Sequence, residues 1–331
     1  MAGDHPEPFR LTHAELAEAR RVVAAHVPPT PQYEWPMLSE HAGSTVVVKH
    51  ENHTPVGAFK VRGGLVYFER LARERPDVTG VISATRGNHG QSLACAARAH
   101  GRSATIYVPH GNSIEKNAAM RALGATVVEH GDDFEAARVE AMRVAADEGL
   151  EAVPPFHRDL ELGDATYAAE MFEAAGPLDT VYVPVGMGSG INAIIAVRDL
   201  LELDTDVVGV VSEHAPASKL TFESGTVTAT DTAATFVDGV ATRNPDPAAM
   251  AGLLAGAARV LAVSDDAVAD AMRLIFRTTH NVAESAGAIA LAGLRSEPVE
   301  QRGERSAFVL CGGNGDTAQF LDVLAGATPT P

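Results

Sequence analysis

The chain has 331 residues, with 26 basic and 43 acidic side chains and a formal net charge of −17. This excess of acid excludes proteins that bind nucleic acid by neutralising phosphates with Lys and Arg. Apolar residues make up 46% of the chain and charged residues 21%. The chain can therefore bury a large core, which indicates a globular protein of one large or two medium domains.

The composition favours the cytoplasm. The two cysteines, Cys95 and Cys311, are too few for a disulfide framework, so a reducing compartment is the expected setting. The first eight residues carry acids and prolines where a signal peptide needs a basic and then an apolar run. No apolar stretch reaches the roughly 18 residues of a membrane span. We therefore expect neither secretion nor a membrane or nucleic-acid partner.

In chain order, short β-branched runs alternate with longer segments whose apolar residues have helical spacing. The short runs predict buried strands at residues 45–49, 80–84, 104–108, 126–129, 180–185, 207–212, 260–263 and 307–311. The longer segments predict helices such as 13–26, 91–100, 133–148, 192–203 and 266–279. This alternation predicts an α/β fold with parallel strands. Such sheets bind ligands at the carboxyl ends of their strands, so the loops after strands are the candidate sites.

The first such loop is residues 51–64, ENHTPVGAFKVRGG, in which Lys60 lies between an aromatic residue and glycines. A lysine in an apolar setting loses its proton more readily, as a Schiff-base amine requires. The alternative is a lysine that begins a helix on a solvated face, which is the commoner role of a single lysine.

The second loop, residues 83–91 (SATRGNHGQ), joins a predicted strand to a predicted helix. Its free backbone N–H groups, its small residues and the Asn88 amide suit a carboxylate or another anion. A capping turn with a buried, hydrogen-bonded His89 is an equally good interpretation.

The third loop, residues 184–191 (PVGMGSGI), has glycines that allow backbone N–H groups to surround a phosphate. It is not the dinucleotide fingerprint, because Ile191 stands where the third glycine would fall, and no Gly-Lys-Ser/Thr phosphate loop occurs. The loop therefore predicts a phosphate site but not an NAD or ATP site. A tight turn without a ligand is the alternative.

The fourth loop, residues 310–315 (LCGGNG), closes the last predicted strand with Cys311 and glycines. Cys311 is either a weak hydrogen-bond partner of a flat cofactor ring or a small buried side chain that fills the core. In isolation the second interpretation is the better one.

Taken in this order, the four loops resemble those of the fold-type II pyridoxal 5′-phosphate (PLP) enzymes, specifically the serine/threonine dehydratase family, which also contains serine racemase and hydroxyaspartate ammonia-lyases. Shorter matches extend the resemblance from about residue 30 to residue 314, at positions 30–31, 109, 116, 120–125, 238–241, 284–288 and 290–292. The resemblance implies two open, twisted, parallel-sheet domains with the active site in the cleft between them. We expect a large PLP-binding domain of residues 1–64 and 156–331 and a small domain of residues 65–155.

The resemblance also implies roles for single residues. Lys60 would be the catalytic residue, which binds the cofactor aldehyde and then removes the α-proton of the substrate. The implied cofactor-binding residues are Phe59, Lys60, Asn88, Gly186, Met187, Gly188, Ser189, Gly190, Glu284 and Cys311. The implied substrate-binding residues are Thr85, Arg86, Gly87, Asn88 and His89.

Several positions depart from the family pattern. Arg86 stands where serine racemase has the serine that acts as its second proton shuttle, and a guanidinium is no base near neutral pH. Racemisation is therefore disfavoured. Val211 and Ala217 stand where the racemase has acidic ligands for a divalent cation, so we expect no metal. Met187 and Ser189 replace glycines, but the backbone N–H groups of that loop remain.

We expect a cytoplasmic, homodimeric PLP-dependent dehydratase (ammonia-lyase) that converts a β-hydroxy-α-amino acid, such as L-threonine or L-serine, to a 2-oxo acid and ammonia. The alternatives are a lyase for a bulkier or acidic β-hydroxy amino acid (hydroxyaspartate, phenylserine or a hydroxyectoine-derived compound), serine racemase, and a PLP-binding protein without turnover. For Arg86 two orientations are open. It points inward as a fork for a substrate carboxylate, or outward to pair with an acidic side chain across the cleft.

Overall fold

The computed structural model describes residues 6–331. Residues 1–5, which belong to the proposed large domain and to the N-terminal stretch that does not resemble a signal peptide, lie outside the described residues. The strands are β1 (Gln32–Glu34), β2 (Thr45–His50), β3 (Gly80–Ala84), β4 (Ser103–Val108), β5 (Thr126–Glu129), β6 (Glu151–Ala152), β7 (Thr180–Pro184), β8 (Asp206–Ser212), β9 (Arg259–Val263) and β10 (Arg305–Leu310).

Helices connect and cover these strands. They are α1 (His13–Ala24), α2 (Pro36–Ala42), α3 (Val61–Glu74), α4 (Asn88–Ala99), α5 (Ile114–Ala122), α6 (Phe134–Glu148), α7 (Arg158–Ala175), α8 (Ser189–Leu200), α9 (Ala217–Ser224), α10 (Pro247–Gly256), α11 (Asp265–Thr279), α12 (Ser285–Ser296), α13 (Val299–Arg302) and α14 (Thr317–Leu324). Two short 3-10 turns occur at Glu51–His53 and Asp238–Val240. No helix within residues 6–331 is both long enough and apolar enough to cross a membrane.

The strands form two separate sheets. The larger sheet has the order β1-β2-β10-β7-β8-β9 and the smaller one the order β5-β4-β3-β6. All neighbouring strands are parallel except β1 and β2, which pair antiparallel with Tyr33 opposite Val48. The expectation of purely parallel sheets is wrong at this edge, because the short connection through α2 returns the chain beside β1.

The α/β prediction and all eight predicted strands are confirmed, with shifts of a few residues at their ends. The last strand ends at Leu310, so Cys311 lies in the loop rather than in the strand as predicted. The named helices are also present, although α4 begins at Asn88, three residues before the predicted start. Strands β1 and β6 were not predicted, because strands of three and two residues are too short to show an alternating pattern.

The smaller sheet uses only strands within residues 65–155, and the larger sheet only strands outside this range. This distribution supports the proposed domain boundaries, which remain a proposal. The carboxyl ends of β2, β3, β7 and β10 lead into the four loops that carry the predicted site.

Helices α3 and α7 cross at two glycines. A Cβ on Gly163 would lie 2.2 Å from the carbonyl oxygen of Arg62, and one on Gly63 would lie 2.7 Å from the carbonyl oxygen of Leu160. Glycine is required at both positions because any side chain would collide with the opposing backbone. This close crossing places the start of α3, and with it Lys60, directly against α7.

Candidate active site

Lys60 immediately precedes α3 and is half-buried. Its Nζ lies 4.5 Å from the centroid of the Phe59 ring. The Phe59 N–H donates a hydrogen bond to the Cys311 carbonyl at 3.0 Å, and Ala58 bridges to Gly312. Lys60 therefore does begin a helix, but its amine lies against an aromatic ring beside the loop after β10 and not on a fully solvated face.

Lys60 also differs from the other lysines of the chain, which are Lys49, Lys116 and Lys219. Lys49 Nζ lies 2.6 Å from a Glu170 oxygen, and Lys116 and Lys219 are paired with Asp238 and Glu223. Among these four lysines, Lys60 is the one that has no carboxylate of residues 6–331 within ion-pair distance. An amine without a counter-ion is available for covalent chemistry.

Asn88 joins the smaller sheet to the larger one. Its Nδ2 donates to Glu284 Oε1 at 2.6 Å, and its Oδ1 accepts from Asn314 Nδ2 at 2.9 Å. Asn314 also donates to the Val56 carbonyl at 2.7 Å. The structure therefore brings the predicted residues Asn88 and Glu284 together and adds Asn314, whose signal in the sequence is its position directly after the paired glycines of the fourth loop.

The buried ammonium of Lys116 lies next to Glu284. Its Nζ lies 2.5 Å from Asp238 and 3.9 Å from Glu284. Burial lowers the pKa of Lys116, but the two carboxylates outweigh it and raise that pKa above its usual value. Burial raises the pKa of Glu284 despite the neighbouring ammonium. A Cβ on Gly87 would lie 2.6 Å from Lys116 Cδ, so the glycine lets this side chain pass beneath the second loop.

The third loop is shaped by close backbone approach. A Cβ on Gly186 would lie 2.6 Å from the Gly239 carbonyl, and Gly188 has a left-handed φ of +100°. Gly188 precedes α8, whose first N–H groups receive no capping side chain in the described structure. These groups and the positive end of the helix dipole can bind an anion. The Met187 side chain lies beside this loop, with its Sδ 3.9 Å from the Thr242 hydroxyl.

Tyr167 connects this loop to Lys60. Its ring packs edge-on against Phe59, with centroids 5.8 Å apart, and its hydroxyl donates to the Gly190 carbonyl at 3.2 Å. A Cβ on Gly190 would lie 3.6 Å from the Phe59 ring. The Lys60 amine and the third loop therefore belong to one site.

The second loop presents neutral and unpaired groups. The Thr85 hydroxyl accepts the Gly87 N–H at 3.2 Å. His89 is buried, and burial followed by the charge of Lys60 lowers its pKa to about 3. Its Nε2 has no partner within residues 6–331, so the alternative of a hydrogen-bonded histidine is wrong for this nitrogen. Arg86 is exposed and makes no hydrogen bond or ion pair in the described chain, so the outward pairing with an acid is not observed.

Cys311 stays a neutral thiol. Its Sγ donates to the Ala286 carbonyl at 3.3 Å, and burial together with the charge of Glu284 raises the thiol pKa. The side chain is buried and therefore fills space beside Glu284, and its contact with a cofactor ring remains a prediction.

No group of three or more His, Cys, Asp or Glu side chains is placed to hold a metal ion in the part of the chain that the structure describes. Val211 and Ala217, at the positions expected to lack metal ligands, are buried. The absence of a divalent-cation requirement remains a prediction.

Comparison with known proteins decides the family. The model of the family described as pyridoxal-phosphate dependent enzyme matches residues 23–312. The chain belongs to this family. L-threo-3-hydroxyaspartate ammonia-lyase of a Pseudomonas species is 31% identical over 300 residues, which cover 90% of this chain and 93% of that protein. Biosynthetic L-threonine dehydratase of Salmonella typhimurium is 33% identical over 86% of this chain and 56% of that protein.

A solved structure shows the same architecture. The processed form of threonine deaminase isoform 2 from Solanum lycopersicum superposes with a TM-score of 0.87 at 27% identity, over 98% of this chain and 97% of that one. The expectations of a fold-type II α/β structure and of PLP as the cofactor are confirmed. The chain is an enzyme of the PLP-dependent ammonia-lyase family.

The residues of the site fit PLP. The Lys60 amine suits the aldehyde, and the third loop suits the phosphate. The hydrogen-bonded pair Asn88 and Glu284 lies close enough to Lys60 for its charge to act on Glu284. At Gly186 the third loop lies so close to residue 239 that a Cβ would collide with the Gly239 carbonyl, so the loop presents bare backbone to a ligand. In addition, His89 Nε2 is a buried polar atom without a partner in the described chain, and it is available to a ligand.

Proposed function

We propose that this enzyme is a dehydratase (ammonia-lyase) for a β-hydroxy-α-amino acid, with L-threonine or L-serine as the default substrate. The observation that carries the proposal is the Lys60 amine, which has no ion-pair partner within residues 6–331 and lies over Phe59. The Phe59 ring in turn packs near Gly190 of the third loop, and the charge of Lys60 acts on Glu284 of the Asn88–Glu284 hydrogen bond. The water lost from the substrate in the elimination is regained in the hydrolysis that frees ammonia, so the net products are a 2-oxo acid and ammonia.

Lys60 and the second loop divide the chemical tasks. When bound, PLP withdraws electrons from the α-carbon of the amino acid. Lys60 Nζ binds the cofactor and takes the α-proton. In the loop of residues 85–89, the Thr85 and Gly87 N–H groups already donate to the Tyr107 carbonyl and the Thr85 hydroxyl. The remaining N–H groups at the start of α4, together with the Asn88 side chain, would receive the substrate carboxylate. The buried His89 stays neutral and so adds no charge to this pocket.

Two residues restrict the outcome to elimination. Arg86 offers a guanidinium, which is not a general base, so it would take no proton from the opposite face of the α-carbon. Cys311 keeps its thiol proton. It would therefore not protonate the pyridine nitrogen of a bound cofactor, which would leave the ring a weaker electron acceptor. A weaker acceptor favours prompt loss of the β-hydroxyl over racemisation.

An acidic β-hydroxy amino acid such as 3-hydroxyaspartate is the second candidate substrate. Arg86 supports it, because this guanidinium adjoins the carboxylate loop and makes no ion pair within residues 6–331. A planar guanidinium binds a second substrate carboxylate through two hydrogen bonds. The similarity to the hydroxyaspartate ammonia-lyase agrees with this candidate but does not decide between the two.

A substrate panel tests the proposal. Purified holoenzyme is incubated with L-threonine, L-serine, L-threo-3-hydroxyaspartate, phenylserine and a hydroxyectoine-derived β-hydroxy amino acid, and the 2-oxo acid and ammonia are both quantified. We expect equal amounts of the two products from at least one substrate. Formation of the D-amino acid without ammonia would favour a racemase, and no product from the whole panel would favour a PLP-binding protein without turnover.

We also propose that the enzyme is a cytoplasmic homodimer. The free thiols of Cys95 and Cys311 support a reducing compartment. Light scattering coupled to size-exclusion chromatography tests the oligomeric state, and a mass of one chain across the working concentration range would contradict the dimer.

A further inference from the structure

The buried acid Asp164 lies between Lys60 and the third loop and has no role in the chemistry described above. The residue is 2% exposed, and its Oδ1 has no hydrogen-bond partner in the described part of the chain. A Cβ placed on Gly63 would lie 3.1 Å from this oxygen. The α3–α7 crossing therefore holds the Asp164 carboxyl against the first turn of α3, directly after Lys60.

Ser189 and Lys60 both favour the ionised form of the Asp164 carboxyl. Burial raises the pKa of Asp164 to about 7, although the Lys60 ammonium and the Ser189 hydroxyl lower it. Glu161 and Tyr167, one turn before and one turn after Asp164 on α7, contact Asn192 and Gly190 of α8 at 3.0 and 3.2 Å. Ser189 is the first residue of α8 and the last of the 186–189 loop. A buried acid thus adjoins a loop that binds an anion, and two negative charges so close in a cavity of low dielectric constant repel each other.

We propose that Asp164 is a positioning residue that keeps a proton while the phosphate group of PLP occupies the 186–189 loop. The protonated carboxyl donates to the Ser189 hydroxyl, whose own proton is then free to point into the loop. Ionisation of Asp164 removes this donor and adds a negative charge, so PLP affinity falls as the pH rises. The inference rests on the proposed function and on the third loop as the phosphate site of its cofactor.

Charged or titratable groups surround Asp164 on α7 itself, at the start of α3 and in the 3-10 turn after β2. They are Glu51, Lys60, Arg62, Glu161 and Tyr167. Arg62 stays protonated, and burial raises the pKa of Tyr167 well above its usual value, so neither changes charge between about pH 6 and 9. Burial raises the pKa of Glu161 to about 8, so this residue titrates in the same range and supplies a control.

The test is the pH dependence of PLP affinity, measured by equilibrium dialysis of the holoenzyme with and without Asp164→Asn. Asparagine keeps the size of the side chain and cannot ionise. At pH 6 we expect the two dissociation constants to agree within about twofold. Above pH 7 the wild-type constant should rise relative to the variant by up to about tenfold per pH unit, reaching a ratio of roughly thirtyfold at pH 8.5.

Two controls separate the phosphate effect from other titrations. Glu161→Gln keeps the oxygen that accepts from Asn192 Nδ2 at 3.0 Å, and its curve should follow the wild type. Pyridoxal, which lacks the phosphate, should give a ratio between wild type and Asp164→Asn that does not change with pH. Parallel PLP curves for these two proteins, or an equal divergence with pyridoxal, would overturn the inference.

Borohydride reduction of the same samples shows whether a negative result contradicts only the role of Asp164 or the proposed active site as a whole. An adduct on Lys60 together with parallel PLP curves overturns the role of Asp164 alone. No adduct on Lys60 in the wild type overturns the proposed site, and the inference about Asp164 with it.

Discussion

Arg62 and Glu170 face each other through two parallel hydrogen bonds, from Nη1 to Oε1 at 2.7 Å and from Nη2 to Oε2 at 2.9 Å. Arg62 Nε also donates to Glu51 Oε2 at 2.8 Å, and Lys49 Nζ lies 2.6 Å from Glu170. Arg62 and Glu51 are fully buried. This charged cluster ties the start of α3, two residues after Lys60, to α7 and to the segment after β2.

Arg62→Ala should destabilise the protein strongly. The substitution leaves Glu51 buried without the guanidinium that neutralises it, and breaking a buried ion pair costs about 3–5 kcal/mol. Thermal unfolding is the measurement. Arg143→Ala is the matched control, because the Arg143–Glu140 pair lies on the surface of α6 and its loss should leave Tm unchanged. Equal Tm values for Arg62→Ala and wild type would show that the cluster does not anchor α3.

Glu161→Gln should stabilise the protein at alkaline pH. The Glu161 pKa is about 8 in the folded protein and near 4.5 when solvated, so the folded state binds more protons between these values. Stability from this group is complete below pH 4.5 and is lost as the pH rises through 8. The advantage of the variant should therefore grow from pH 5 to pH 8, to on the order of 2–4 kcal/mol. Thermal scans at both pH values measure it, and a difference in Tm that stays constant with pH would contradict the assignment.

Local patterns allowed much of this fold to be predicted. Buried strands such as β3 and β7 appear in the sequence as short runs rich in β-branched residues. The glycines of the third loop indicate a close backbone approach, which the structure shows at Gly186. The order of the four loops was sufficient to suggest the family. These features depend on neighbours in the chain, which a sequence displays directly.

Features that depend on distant partners were not predicted. Asp164 and Glu161 resemble ordinary acids of a helix. They are buried only because α3 packs against α7 at Asp164 and α8 packs against it at Glu161. The role of Lys116 depends on Asp238 and Glu284, which lie more than 100 residues away in the sequence. The orientation of Arg86 could not be chosen from the sequence either, because both alternatives require knowledge of the groups across the cleft.

Arg86→Ala should alter substrate preference. If Arg86 binds a second carboxylate, kcat/KM for L-threo-3-hydroxyaspartate should fall about ten- to a hundredfold, the equivalent of roughly 1.5–3 kcal/mol, while kcat/KM for L-threonine changes little. Arg98→Ala, an exposed arginine in the last turn of α4, is the control and should change neither value. Unchanged efficiencies across the panel for Arg86→Ala would leave L-serine or L-threonine as the better assignment.

Removal of divalent cations should leave the activity largely intact. Val211 and Ala217 offer only apolar side chains where the racemase has acidic ligands, and hard cations need oxygen donors. The measurement is the rate of 2-oxo acid formation before and after treatment with a divalent chelator, with sodium and potassium held constant. A rate that collapses on chelation and returns with magnesium would disprove this expectation.

The most direct test of the account is to locate the covalently bound cofactor. Borohydride reduction of the yellow holoenzyme, followed by proteolysis and mass mapping, must choose among four lysines, Lys49, Lys60, Lys116 and Lys219. We predict a single adduct on Lys60, the lysine that lies over Phe59, and no adduct and no elimination activity in Lys60→Ala. An adduct on Lys49 or Lys116 in the wild type, or elimination activity retained by Lys60→Ala, would contradict the proposed active site.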